Sequence, residues 1–375
     1  MSVTGSSLIR VSPTPANAPF SFASPAPERL SVAGKFLNAG QHKLYIRGVT
    51  YGPFRPDARG NEYGTVERVR ADFRLMVRNG INTVRTYTVP PPWLIDEAQE
   101  HGLRLMIGIP WEQHVTFLDD RKQARSIVGR VREAVRSMAR APGVFAYAVG
   151  NEIPAPIVRW HGRNRVEAFL EDLYDAAKQA DPQALVTYVN YPTTEYLQLP
   201  FLDFSCFNVY LERQEQLHAY LAHLQNLVGE RPLLMAEIGL DSQRNCVYGQ
   251  ARSLQMQLGT VFEAGCAGAF VFAWTDEWHR GGYDVDDWDF GLIDRTGASK
   301  PALHVVRQEF TKAPVAVSHT APLISVIVCV YNGRDTLDFC LTGCSVWITH
   351  ATKLSSSMMD RPTAVLPLPL ATTSG

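Results

Sequence analysis

The feature that most constrains this chain is a rhythm. From about residue 36 to residue 312, apolar runs of strand length alternate with amphipathic runs of helix length. KLYIRGVTYG (43–52), INTVRTYTVP (81–90), LRLMIGIPW (103–111) and VFAYAVGNEIP (144–154) are the first four apolar runs. ALVTYVNYP, DFSCFNVYL, PLLMAEIGLD and GAFVFAWTDEW follow. Near-continuous apolar character marks strands covered on both faces, as in parallel sheets. The intervening segments repeat apolar residues at three- and four-residue spacing, the pattern of a one-faced helix. TVERVRADFRLMVRNG has Thr65 where an N-cap belongs and Gly80 at the C′ position. PPWLIDEAQEHG opens on prolines, as a helix start tolerates, a long helix covers about 122–140, and KPALHVVRQEF closes the set. Eight strand-then-helix units in about 280 residues predict an α/β fold, a (β/α)8 TIM barrel. A doubly wound open sheet would want a glycine-rich phosphate turn after an early strand, and the sequence has none.

Bulk properties narrow the partners. A formal net charge of −1 offers no electrostatic case for nucleic acid or an anionic membrane surface. No apolar run approaches the roughly 20 residues of a spanning helix, so no membrane span is expected in this chain. MSVTGSSLIRVSPTPANAPF lacks the basic start and apolar core of a secretion signal, which points to a cytoplasmic location. The six cysteines, Cys206, Cys246, Cys266, Cys329, Cys340 and Cys344, form neither a CxxC pair nor a zinc spacing. Reduced thiols, no metal site and no cofactor are therefore expected.

In a barrel the C-terminal ends of the strands carry the chemistry. Those ends here bear Tyr51, then Arg85 with Tyr87, Trp111, Asn151 with Glu152, Asn190 with Tyr191, and Asn208 with Tyr210. Glu237 ends strand seven, and Trp274, Asp276, Glu277 and Trp278 end strand eight. Aromatic rings stack on the apolar faces of sugars, while amides and arginine bond their hydroxyls, so a carbohydrate is the expected partner. Glycoside hydrolysis also needs two carboxyl groups, one to protonate the leaving oxygen and one to attack or activate water. Glu152 and Glu237 supply such a pair from strands four and seven, which lie across a barrel mouth. That arrangement suits the roughly 5–5.5 Å separation of retaining enzymes. Other acids compete for attention. Glu112 sits beside His114 after strand three, and Asp284, Asp286 and Asp287 form an acidic loop whose spacing does not match an EF-hand.

The Asn–Glu after strand four and the Glu-Ile-Gly turn after strand seven resemble clan A retaining glycoside hydrolases. The pattern is most similar to the catalytic barrel of glycoside hydrolase family 2, and DFGLIDRTGASKPALHVV (289–306) resembles that family's closing segment. The resemblance implies Glu152 as acid/base and Glu237 as nucleophile. It implies that Asn151 bonds the sugar 2-hydroxyl, Tyr210 orients the nucleophile, Trp274 floors the reacting-sugar subsite, and Arg85 keeps the nucleophile ionised. Trp111, Asn190 and Glu277 complete the expected substrate contacts. The sandwich domains that precede the barrel in that family have no counterpart in the short leader. The resemblance therefore leaves the sugar and the exo or endo mode open, and a free-standing barrel is also similar to endo-acting family 5 enzymes. Transglycosylation uses the same covalent intermediate with a sugar hydroxyl in place of water.

The expected domains are a flexible Ser/Pro/Ala-rich leader over 1–30 and the barrel over 31–312. Beyond it, PLISVIVCVYNGRDTLDFCL (322–341) resembles the opening strand, turn and helix of family 2 glycosyltransferases. Residues 313–344 then read as the truncated start of such a domain, and 345–375 as a disordered tail without period. Codons for 347–363 can, in a shifted frame, spell DYPRYEVIVVDDGSTD, the segment that glycosyltransferase family shows next, so a frameshift is one origin for the tail. On this resemblance a full-length relative is membrane-associated through its glycosyltransferase domain. The alternative to a hydrolase is a barrel that holds a glycan, without cleaving it, for a fused polysaccharide-synthesising transferase.

Overall fold

A computed structural model describes residues 28–139, 141–313, 324–330, 334–345 and 352–358. The expected leader, up to residue 27, lies outside the described residues. The chain divides into two units, Met1–Val315 and Ala316–Gly375.

The first unit begins with β1 (Leu30–Ala33), β2 (Phe36–Ala39) and β3 (His42–Leu44), which pair antiparallel. The run 43–52 predicted as one strand is split at Tyr45, whose ring sits edge-on to Phe36 and Phe262 where the chain turns into the barrel. The alternation then follows. It comprises β4 (Ile46–Thr50), α1 (Val66–Arg78), β5 (Thr83–Thr86), α2 (Pro92–Glu100), β6 (Arg104–Gly108) and α3 (Arg121–Met138). Next come β7 (Val144–Asn151), α4 (Ala155–His161), α5 (Arg163–Ala180), β8 (Leu185–Asn190), β9 (Ser205–Asn208) and α6 (Gln214–Val228). The unit ends with β10 (Leu233–Ile238), α7 (Ser242–Glu263), β11 (Gly268–Val271), the hairpin β12 (His279–Arg280) and β13 (Tyr283–Asp284), and α8 (Pro301–Lys312).

Strands β4 to β11 pair in parallel and close on themselves through β4 and β11, giving the eight-stranded barrel. The β8–β9 connection carries only a single 3-10 turn, Pro192–Thr194, in place of a helix. Helix α1 shows why the local pattern succeeds. Thr65 accepts the Arg68 amide, Gly80 takes φ 79° just past the end, and Val69, Phe73 and Met76 are buried. Each such buried side chain contributes roughly 1.5–3 kcal/mol against leaving it in water.

The barrel has a filled lower half. Phe270 of β11 occupies the interior beside Gly48 of β4, where an added Cβ would lie 2.2 Å from its ring. Ile46, Met106, Phe145, Phe204 and Leu234 pack with it, and the β1–β3 sheet adds Leu30 and Leu37 beneath. At the upper end the ladder is irregular in two places. Register shifts fall between Ala148 and Asn151 in β7 and between Met235 and Glu237 in β10. Such bulges re-aim side chains, and these two lie at the carboxylate-bearing lips.

The second unit contains β14 (Ile324–Val330), α9 (Arg334–Ser345) and β15 (Thr352–Met358), with β14 and β15 paired in parallel from Ile324↔Thr352 to Val330↔Met358. Strand β15 falls within 345–375, the stretch expected to be a disordered tail, most of which lies outside the described residues. A neighbouring strand supplies main-chain partners that a sequence without period does not reveal. Among the described residues no helix is long and apolar enough to cross a membrane.

Candidate active site

The upper ends of the strands surround a cavity of about 1010 Å³. Arg85, Trp111, Asn151, Glu152, Tyr210 and Glu237 all line it, so six of the nine predicted site residues come together.

Glu237 is held by three donors. Arg85 Nη1 donates to Oε1 at 2.9 Å, Tyr87 Oη to the same oxygen at 2.6 Å, and Tyr210 Oη to Oε2 at 2.7 Å. Arg85 is itself fixed from below, because Nη1 also donates to the Ala236 carbonyl at 2.7 Å and Nη2 to Asn151 Oδ1 at 2.7 Å. It is only 1 % exposed, and a buried guanidinium this well bonded keeps its charge. Burial pushes the phenols of Tyr87 and Tyr210 well above the ordinary tyrosine range, so both remain donors. Tyr210 is partly exposed as a residue, while its hydroxyl is bonded to the carboxylate. Charge-assisted bonds of this kind hold a carboxylate in one orientation.

Glu152 has the opposite setting. Burial, and next the negative charge of Glu237, raise its pKa above the usual carboxylate range. The Asn208 amide, which donates to Oε1 at 2.8 Å, offsets part of that shift. The backbone at Glu152 has φ 51°, a left-handed conformation that costs a residue with a Cβ. Its neighbours over-determine the kink. The Asn151 amide donates to Gln113 Oε1 at 3.0 Å, the Glu152 amide to the Val189 carbonyl at 2.9 Å, and the Ile153 amide to Tyr188 Oη at 2.8 Å. The Gln113 side chain in turn donates to the Asn151 carbonyl. The strand end is thus bent so that Asn151 and Glu152 both face the cavity.

Three of the expected contacts are not brought into the cavity lining. Trp274 does not floor the cavity; it is fully buried in the core cluster that includes the helices, and its amide pairs with the Thr50 carbonyl at 2.9 Å. Phe272, two residues earlier, and Trp278 line the cavity instead, with Trp288 and Phe290 beside them. A strand places residues of the same parity on one face only while its ladder continues. Strand β11 ends at Val271, so parity does not carry through to Trp274. Asn190 also turns away. It donates to the Thr194 carbonyl at 3.1 Å and accepts from the Thr194 hydroxyl at 2.6 Å, tying off the turn after β8. Glu277 pairs with Arg68 of α1 and anchors its loop outside the cavity lining.

Tyr87 and Asn208 stand at strand ends with no role expected of them, and Gln113, Phe272 and Trp288 carry no distinguishing sequence signal. Only the strand-end position could have flagged the first two. Glu112 pairs with Arg130, and Asp284 with Arg55 and His279. Among the described residues no group of three or more His, Cys, Asp and Glu side chains is arranged to hold a metal ion.

Solved structures share this architecture at low identity. A β-glucuronidase from Ruminococcus gnavus in complex with D-glucuronic acid superposes with TM-score 0.65 at 17% identity, over 75% of this chain and 51% of that one. The same enzyme with C6-substituted uronic isofagomine gives TM-score 0.64 at 16% identity, over 75% and 52%. A GH2 β-galacturonidase from Eisenbergiella tayi bound to galacturonate gives 0.64 at 17%, over 76% and 54%. This chain therefore spans about half the length of the structures it resembles, and at such identity the likeness is one of fold. No curated protein matches the chain. The model of glycosyl hydrolases family 2, TIM barrel domain, matches residues 31–279, the stretch that carries both lip glutamates, and the chain belongs to that family.

Proposed function

We propose that the barrel is a retaining β-glycosidase acting on a β-linked oligo- or polysaccharide, with Glu237 as nucleophile and Glu152 as acid/base. The observation that carries this reading is the divergence of the two carboxyl environments. Glu237 meets three donors, whereas Glu152 is pushed toward its protonated form. A carboxyl group pushed toward its protonated form suits the acid, and one fixed by three donors suits the oriented nucleophile. The Glu237 carboxylate attacks the anomeric carbon as the Glu152 proton passes to the leaving oxygen, giving a covalent glycosyl–enzyme. Glu152, now ionised, takes a proton from water, which attacks the same carbon and returns Glu237 as carboxylate. Arg85, Tyr87 and Tyr210 limit the conformations of the nucleophile, and Asn151, held by Arg85, is positioned to bond a sugar hydroxyl.

A panel of activated aryl β-glycosides tests this. Glu237→Gln should lower kcat by at least about 10⁴-fold, and a 2-deoxy-2-fluoro glycoside should label Glu237 covalently. Activity should fall on the alkaline side as Glu152 loses its proton, and Glu152→Gln should remove that limb. No turnover of any glycoside by the wild type would overturn the reading.

We further propose that residues 313–344 are the truncated start of a glycosyltransferase-like domain. The order of β14 followed by α9 supports this.

A further inference from the structure

The β12–β13 hairpin stands at the cavity rim without a role in the reaction above. Gly281 and Gly282 have φ 61° and 87°, the two left-handed positions that a tight two-residue turn requires. Its base is pinned. His279 Nδ1 lies 2.7 Å from Asp284 Oδ1, Arg55 Nε donates to Asp284 Oδ2 at 2.9 Å, and the His279 amide donates to the Pro53 carbonyl at 3.1 Å. Arg280 and Tyr283 are the other directly opposed pair, so their side chains leave the ribbon on one face.

Arg280 lines the cavity, and its Nη2 lies 3.2 Å from Nε2 of His114, on the loop after β6. Burial and then the adjacent guanidinium lower the His114 pKa, which favours a neutral ring whose nitrogen can accept from Arg280. The other two arginines lining the cavity face carboxylates, Arg85 that of Glu237 at 2.9 Å and Arg244 that of Asp241 at 3.8 Å. Among the described residues, Arg280 is the cavity arginine that meets an imidazole and not a carboxylate at hydrogen-bond distance. Its charge is felt at Glu152. Arg280 and Glu152 line the same cavity, and because Glu152 protonates the leaving oxygen, a cation on that cavity's rim is within reach of the leaving-group side. A planar guanidinium hydrogen-bonded to an imidazole and in no ion pair with a carboxylate among the described residues matches a carboxylate in two-point geometry. Tyr283, 77 % exposed on the same face of the ribbon, offers a ring on which a sugar further out can stack.

We propose that Arg280, oriented by His114 on the pinned hairpin, forms a leaving-group-side subsite for an acidic sugar residue, with Tyr283 as its outer stacking surface. This rests on the assignment of Glu152 as acid, and the test separates the two. The probes are 4-carboxyphenyl, 4-sulfophenyl and uncharged 4-carbamoylphenyl β-glycosides of whichever sugar the wild type turns over. Arg280→Gln should lower the carboxyl-to-carbamoyl ratio of kcat/KM about tenfold, chiefly through KM, with Arg280→Lys intermediate. Any effect of the charge on Glu152 acts on both probes and cancels in that ratio. A sulfonate recognised as well as the carboxylate assigns the subsite to anionic sugars at large, and a carboxylate preference assigns it to uronates. A wild type that turns over aryl glycosides with a ratio unmoved by Arg280→Gln overturns the subsite and leaves the catalytic assignment standing.

Discussion

The two ends of the barrel are built from the same eight strands and have opposite character. The lower end is closed by apolar contacts among Ile46, Phe145, Phe204, Leu234 and Phe270, with Leu37 beneath. The upper end is a polar network in which Arg85 joins Glu237 to Asn151, and Asn208 joins Asn151 to Glu152. Packing at the lower end is non-directional and tolerates any side chains that fill the volume. Bonds at the upper end are directional and hold only if each partner sits within a few tenths of an ångström. The lower end therefore sets stability, while the upper end gives some stability up in a left-handed glutamate and a desolvated carboxyl group.

The contrast can be broken in three places. The largest effect is expected from Phe270→Ala, which empties the lower interior and should cost about 3–5 kcal/mol in urea denaturation. Turnover per folded molecule should hardly change, and a parallel loss of kcat would show that the two ends are coupled. Tyr210→Phe removes one of three donors to Glu237 and should lower kcat roughly 10²-fold, or about 2.7 kcal/mol, with Tm within a degree or so of wild type. A large fall in Tm instead would make that hydroxyl a structural group. The smallest effect has the opposite sign. Glu152→Gly frees the φ 51° backbone of its Cβ and removes a carboxyl group that burial disfavours ionising, so it should stabilise by about 1 kcal/mol while abolishing turnover. Because folding raises the Glu152 pKa, the stability tied to that group is intact below its unfolded pKa and is lost as pH rises through the folded one. The gain in Tm should therefore be larger at pH 8 than at pH 4, and an equal gain at both would assign it to the backbone alone.

Much of this was legible in the chain, for reasons that differ by element. Strand β7 reads as a strand because six buried residues from Val144 to Val149 leave no polar position to mistake for a surface, and α1 reads as a helix because cap, apolar face and terminal glycine agree. The hairpin β12–β13, α4 and the β1–β3 sheet were not legible, since two- to seven-residue elements carry too few periods to stand out. Within the site, Glu152, Glu237 and Arg85 follow from their positions at strand ends. Trp274, Asn190 and Glu277 show how far that rule reaches: each occupies or follows a strand end, and each is spent on packing, a turn or an ion pair.

By itself the sequence determined the order of the eight barrel strands and of the main helices between them, and hence that Glu152 and Glu237 leave the barrel at its upper rim. Those features are periodic, and period survives in one dimension. Only the tertiary structure decided that Phe272 and not Trp274 faces the cavity, that Tyr87 and Asn208 each bond a lip glutamate, and that Arg280 meets His114 across 166 residues of chain. Such pairings depend on bulges, strand ends and turns, where the chain departs from its period and long-range contacts choose the direction of each side chain.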